Sequence, residues 1–369
     1  MKDKNFIQDF GLFASLVVSM LGVGVFYSPS LVAKYVGADG WAVAIITGIL
    51  IFLIMYVMYQ LMKMNTYDDI VVILKNIYGG FLGRVISIVY AVMMILALSI
   101  SLRVFAEVIT MFLLNNTPTE VILITLIFLG MYLSRGGLVN IVHFNELAFW
   151  IMFIPAIIAF LLTLPTADFT NLLPVFTAAP KSYISGSFEL IFLLNGFSMA
   201  FILIPYVKKK ETITKLLRHS SLFITAFYGI TFILVAATLS VGQTKDTIFP
   251  TITMIQSITS KSGFLERWDS LIMAIWVVFY FTAFANTYYF SSYIVKHVFN
   301  LEDIKIASII FIPVVYVAAL FPDSVVDVRN LKMGFIRMGF IGTLFVVIGV
   351  TFLISFIKRR RGVNVKHEN

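Results

Sequence analysis

The sequence predicts an all-α membrane protein of ten transmembrane helices in a five-plus-five inverted repeat, with helices one and six broken. Three observations predict this. Of the 369 residues, 60% are hydrophobic and only 12% are charged, whereas soluble domains carry about 25% charged residues. Apolar stretches follow one another from Phe10 to Ile357, each of about 20 residues, the length that crosses roughly 30 Å of hydrocarbon. Two of those stretches contain poor helix formers at similar distances from their starts. Mean hydropathy is +0.97.

This composition excludes a soluble enzyme, a disordered tail and a secreted disulfide scaffold. A membrane β-barrel is excluded because its strands would alternate in units of about ten residues. The absence of cysteine removes thiolate nucleophiles, iron–sulfur clusters and cysteine zinc sites. The histidines are scattered: His143-x-x-Glu146 resembles a ligand pair, but no second cluster completes it. No metal and no cofactor are expected. Nucleophile–base sets, phosphate loops and dinucleotide turns are also missing.

In chain order the expected spans are 9–35, 41–62, 84–114, 119–135, 139–164, 184–207, 220–241, 268–294, 306–321 and 334–357. The first is expected to stay in the membrane. Its apolar run exceeds the 7–15 residues of a signal-peptide core and no small-residue cleavage site follows. Asn115-Asn116-Thr117-Pro118, Pro165, Pro174, Pro180, Pro250 and Pro322 punctuate the loops. The chain reads as one polytopic domain, 1–369, with repeats at about 9–164 and 184–357 and a basic tail at 358–369. With the N-terminus inside, 18 of the 27 Lys and Arg residues fall on the inner side and 8 on the outer. That asymmetry places both termini in the cytoplasm. The net charge of +8, including Lys208-Lys209-Lys210, then reads as a topology signal beside anionic lipid rather than a nucleic-acid surface.

Span one contains Met20-Leu21-Gly22-Val23-Gly24-Val25-Phe26-Tyr27-Ser28-Pro29. A helix-interior Gly costs about 1 kcal/mol against Ala, and Pro about 3 kcal/mol. Span six has its weak point at Asn195-Gly196, with Pro205 further on. Spans two and seven start 179 residues apart, and three and eight 184 apart. An odd number of spans per half makes the halves inverted. Broken helices at matching places in inverted halves mark a midplane binding site. Unwound backbone is tolerated at that depth only where protein, water or ligand satisfies it. The competing explanation is that small residues simply let helices pack closely.

Polar groups at depth are the other signal. Arg103 and Glu107 share a face of span three at i and i+4, as a gate, proton relay or ligand contact, or as a structural ion pair. Glu189 lies seven residues before Gly196, lining an outer vestibule or merely interfacial, and is an alternative partner for Arg103. In span eight, Phe281-Thr282-Ala283-Phe284-Ala285-Asn286-Thr287 offers small and hydroxyl side chains to a ligand, the alternative being that Thr282 and Asn286 bond neighbouring helices. Glu266-Arg267-Trp268-Asp269 opens that span, where acidic groups suit the helix dipole.

Together these motifs resemble the B subunit of Ger-type spore germinant receptors, the endospore germination permease family of the amino acid–polyamine–organocation transporter superfamily. The resemblance runs through Leu21-Gly22-Val23-Gly24 to Pro29, Arg103 to Ala106-Glu107, Phe112-Leu113-Leu114-Asn115-Asn116-Thr117-Pro118, Gly136-Gly137-Leu138 and Pro174-Val175. Its most specific part is Pro250-Thr251-Ile252 through Gln256-Ser257, then Gly263-Phe264-Leu265-Glu266-Arg267-Trp268-Asp269 and Trp276. Ser30 departs from it, standing after Pro29 where relatives often have arginine.

The resemblance implies a LeuT-like fold in the inner membrane of a bacterial spore. It implies a small nutrient germinant, commonly an amino acid, and two partners: an A subunit with membrane spans and a lipoprotein C subunit. It also implies a ligand between the breaks, against Gly22, Val23, Gly24 and Val25 of span one and Asn195, Gly196 and Phe197 of span six. Leu98 and Ser101 of span three and Phe281 and Thr282 of span eight would close the sides. The expected function is a nutrient sensor on a transporter scaffold. The alternatives are an H⁺- or Na⁺-coupled amino acid transporter and a structural subunit with an empty site.

Overall fold

The computed structural model describes residues 6–262, 268–322 and 333–360. Lys2, Lys4, the stretch Gly263 to Arg267, Arg329, Lys332 and the 361–369 part of the basic tail lie outside the described residues, as do the side chains of Trp268 and Asp269.

The helices run α1 (Asp9–Ser19), α2 (Gly24–Val36), α3 (Gly40–Met64), α4 (Ile70–Tyr78), α5 (Gly80–Phe112), α6 (Thr119–Arg135) and α7 (Gly137–Thr163). They continue with α8 (Pro180–Leu193), α9 (Ala200–Leu203), α10 (Ile213–Asp246), α11 (Pro250–Ser262), α12 (Trp268–Phe299) and α13 (Ile304–Leu320). The chain closes with α14 (Met333–Leu344), a π-helical turn at Phe345–Val350, and α15 (Thr351–Arg360). Among the described residues, five helical stretches are individually long and apolar enough to cross a membrane, or seven if each sharply bent pair counts as one span. The all-helical membrane fold is as expected, while ten spans remains a reading of the chain order.

Each expected break is a break in the structure. The α1 helix stops at Ser19, and α2 begins at Gly24 after a non-helical turn. The second broken helix bends by 56° between Pro180–Leu193 and Asn195–Tyr206, through a 3-10 turn at Asn195–Met199. The two breaks touch. Around them α1 packs on α7, α10 and α12, while α2 packs on α8, α10 and α11. Helices α5 and α12 pack together on the far side of the breaks. Close approach of α3 and α10 depends on Gly48, where a β-carbon would stand 1.7 Å from Thr225 Oγ1.

Two helices fall where loops were expected. The α4 helix is capped by Asp69, whose side chain accepts from Val71 N at 2.8 Å, and buries Ile70, Val71, Ile73 and Leu74. The α11 helix buries Ile252, Met254 and Ile255 against the bundle. Its position has a local cause. Pro29, inside α2, has no N–H for the carbonyl four residues earlier, which is that of Val25. Thr251 Oγ1 donates to that Val25 oxygen at 2.8 Å.

Call the end where α1 begins the base, and the end with the α2–α3 turn the top. At the base, Ile7 N donates to Tyr206 O at 2.8 Å and Lys208 N to Ile7 O at 3.3 Å. Thr212 Oγ1 donates to Asp9 Oδ1 at 3.1 Å. At the top, Tyr35 OH donates to Glu189 Oε1 at 3.1 Å, and Arg337 Nη1 pairs with the same oxygen. Buried Asp39 receives Phe176 N at 2.7 Å and Tyr183 OH at 2.6 Å. The two broken helices are thus tied together at both ends.

Candidate ligand site

A partly open cavity of about 50 Å³ lies beside the breaks, several times the roughly 10–15 Å³ that one water requires. Its walls come from four places. The α1–α2 break contributes Ser19, Gly22, Val23, Gly24 and Tyr27, and the α8–α9 break contributes Phe192, Leu193 and Asn195. The α5 helix supplies Ala97, Leu98, Ile100, Ser101 and Val104, and α12 supplies Tyr280, Ala283, Phe284 and Thr287.

Among the described residues, no Asp, Glu, Lys or Arg lines it. Its polarity comes from hydroxyls, one amide and backbone. At the start of α2 the N-cap residue is Val23, and no side chain caps the helix. Val25 N and Phe26 N donate to Gly22 O at 3.3 Å and to Val23 O at 3.1 Å, so the first-turn N–H that borders the cavity is that of Gly24, where the helix dipole favours an anionic group. Below the cavity, Ser19 joins a buried polar network. Asn286 Nδ2 donates to Ser19 Oγ at 2.8 Å, and Asn145 Nδ2 donates to Asn286 Oδ1 and to Ser15 Oγ, each at 3.0 Å. This network ties α1 to α7 and α12.

Six of the residues expected at the site line the cavity: Gly22, Val23, Gly24, Leu98, Ser101 and Asn195. The other five lie off it. Val25 is buried in α2 with its carbonyl held by Thr251. Gly196 is the point of closest approach between the breaks: a β-carbon there would stand 1.9 Å from Ser19 O. Phe197 is fully buried in the 3-10 turn. Phe281 meets Phe144 edge-on at 5.7 Å. Thr282 Oγ1 donates to Val278 O at 2.6 Å and lies 3.9 Å from Met152 Sδ. Those last two therefore face α7, and the cavity face of α12 is Tyr280, Ala283, Phe284 and Thr287 instead. Residues at i, i+3, i+4 and i+7 share a helix face, the signal by which this set is recognisable.

The charged groups sit apart from the cavity. Arg103 Nε pairs with Glu107 Oε1 at 2.9 Å, so the i, i+4 pair forms. Glu189 is held by Tyr35 and Arg337 at the top. Ser30, in the position where arginine was the comparison, is buried and donates to Lys245 O at 3.1 Å. His143 and Glu146 come within 3.2 Å on an exposed face; among the described residues no group of three potential metal ligands gathers.

The same overall arrangement occurs in solved transporters. The structure resembles Mhp1, a nucleobase-cation-symport-1 family transporter in a closed conformation with bromovinylhydantoin bound, at a TM-score of 0.65 and 12% identity, covering 100% of this chain and 98% of that one. It also resembles the manganese transporter of Eremococcus coleocola, at a TM-score of 0.53 and 13% identity, covering 95% and 85%. These likenesses establish the LeuT-type fold alone. In sequence, the chain is 28% identical to Spore germination protein A2 of Bacillus subtilis (strain 168) over 344 residues, covering 93% of each. It is 23% identical to Spore germination protein GerQB of Bacillus cereus over 354 residues, covering 95% and 96%. Family and neighbours are of permease and transporter type rather than enzymes, and the chain is an integral membrane protein. Residues 7–328 match the family model described as Spore germination protein, and the chain belongs to that Spore_permease family.

Proposed function

We propose that this germination permease is the B subunit of a spore germinant receptor, binding a small amino acid between its two breaks. The observation that carries this reading is the cavity between unwound backbone segments, with the N-terminal end of α2 at one wall and no charged side chain among its described lining residues. A zwitterion suits such a site. Its carboxylate meets the positive end of a half-helix, and its ammonium meets hydroxyl and carbonyl oxygens. Closure at base and top describes one state of a two-state element. Ligand shifts that element only through a difference in affinity between states. In this reading the N- and C-termini are cytoplasmic, the two halves form inverted repeats across ten spans, and an A subunit and a lipoprotein C subunit in the spore inner membrane read the change.

A working transporter is the second reading, favoured by the fold shared with a cation symporter. Purified protein in liposomes separates the two. The receptor reading expects saturable amino acid binding without accumulation under H⁺ or Na⁺ gradients. Gradient-driven uphill uptake of a labelled amino acid would replace it with the transporter.

A further inference from the structure

We propose that Tyr280 sets ligand recognition, its phenolic hydroxyl donating a hydrogen bond to the carboxylate of the bound amino acid. The inference rests on the ligand site proposed above and adds a recognition residue to it. Tyr280 is 1% exposed and lines the cavity. Its hydroxyl oxygen is buried with no hydrogen-bond partner, alone in this among the described cavity-lining side chains. Its one polar neighbour is the Ser101 hydroxyl, which interacts with the phenol at a geometry too poor for a hydrogen bond.

The ring itself is fixed. It stacks on Phe105 at 3.9 Å between centroids and 21° between planes, and packs against Phe284 at 6.1 Å. Aromatic contacts of this kind orient a side chain without using its polar end. The hydroxyl is therefore held in a set place at the wall of a cavity whose described lining residues carry no charge. A buried polar group without a partner is a standing cost that disappears when a ligand supplies the partner. A site built around such a group discriminates strongly, because a ligand that lacks the matching atom leaves the group unpaired. Two other cavity hydroxyls are already engaged: Thr287 donates to Ala283 O at 3.0 Å and Ser19 to Ser15 O at 2.5 Å.

The test is Tyr280→Phe in the full-length chain, purified and placed in lipid nanodiscs. Binding of the standard L-amino acids is measured by calorimetry and ligand-free Tm by intrinsic fluorescence. The amino acid that binds wild type most tightly should bind the variant on the order of 10- to 100-fold more weakly, as expected for loss of a hydrogen bond to a charged group. The ligand-free variant should melt at the same temperature or higher, since the removed hydroxyl had no partner in the protein. These opposite signs separate recognition from a structural role. Equal affinity in wild type and variant overturns the inference while leaving the ligand site standing. A lower ligand-free Tm also overturns it, because the hydroxyl then bonds within the protein. Absence of binding to wild type by every amino acid tested overturns both the inference and the amino acid reading beneath it.

Discussion

The two breaks look alike in sequence, a glycine-bearing interruption in an apolar helix, yet their glycines do opposite things. At Gly22 a β-carbon would find only Ala283 Cβ, at 3.9 Å, and the residue borders the cavity. At Gly196 it would meet Ser19 O at 1.9 Å and Met20 N at 2.8 Å. One glycine leaves room for something absent from the chain. The other lets one backbone lie against another. A broken membrane helix thus needs both a space that a ligand fills and a contact that holds the unwound segment in place, and here the two tasks fall on different chains of residues.

Substitutions sharpen the contrast, and they are ordered here by expected loss of stability. Gly196→Ala should be the most damaging, because the clash is with backbone, which cannot rotate away. Overpacking usually costs about 1–3 kcal/mol and more where nothing can yield, so folded protein recovered from membranes should fall several-fold. Next comes Thr251→Val. It strands the Val25 carbonyl that Pro29 leaves open, at a cost of about 1–3 kcal/mol, read as a lower Tm. Gly24→Ala is milder: its β-carbon would meet Leu193 Cβ at 3.1 Å, a contact a few tenths of an ångström too close, so about 1 kcal/mol is expected. Gly22→Ala should leave Tm within the roughly 0.5 kcal/mol of an ordinary tolerated change while weakening amino acid binding, since its methyl enters the cavity. A Gly22→Ala protein as unstable as Gly196→Ala would erase the distinction between the breaks.

The breaks were legible in the sequence because Gly-x-Gly and Asn-Gly weaken a helix whatever surrounds it. The Arg103–Glu107 pair was legible because i, i+4 spacing brings any two long side chains together. The cavity face of α12 was not. Along that helix Phe279, Tyr280, Phe281, Ala283 and Phe284 differ little in polarity, so no amphipathic stripe tells the cavity side from the α7 side. Reading Phe281 and Thr282 as the ligand face rotated the helix by about 100° per residue of error. The α4 helix was missed because nine residues are too few to register as a span. The α11 helix was missed because its Thr- and Ser-rich sequence reads as loop. Its anchoring to α2 runs from Thr251 to the Val25 carbonyl that Pro29 leaves open, more than two hundred residues away in the chain.

The most direct test of a ligand between the breaks uses the absence of cysteine from the chain. Ser101→Cys places a single thiol on the cavity wall, and its reaction rate with a small methanethiosulfonate reagent is measured in nanodiscs with and without saturating amino acid. A nutrient that triggers germination should slow modification at least several-fold, because it occupies the space the reagent must enter. An unchanged rate in the presence of such a nutrient, in protein shown to bind it, would place the ligand elsewhere in the molecule.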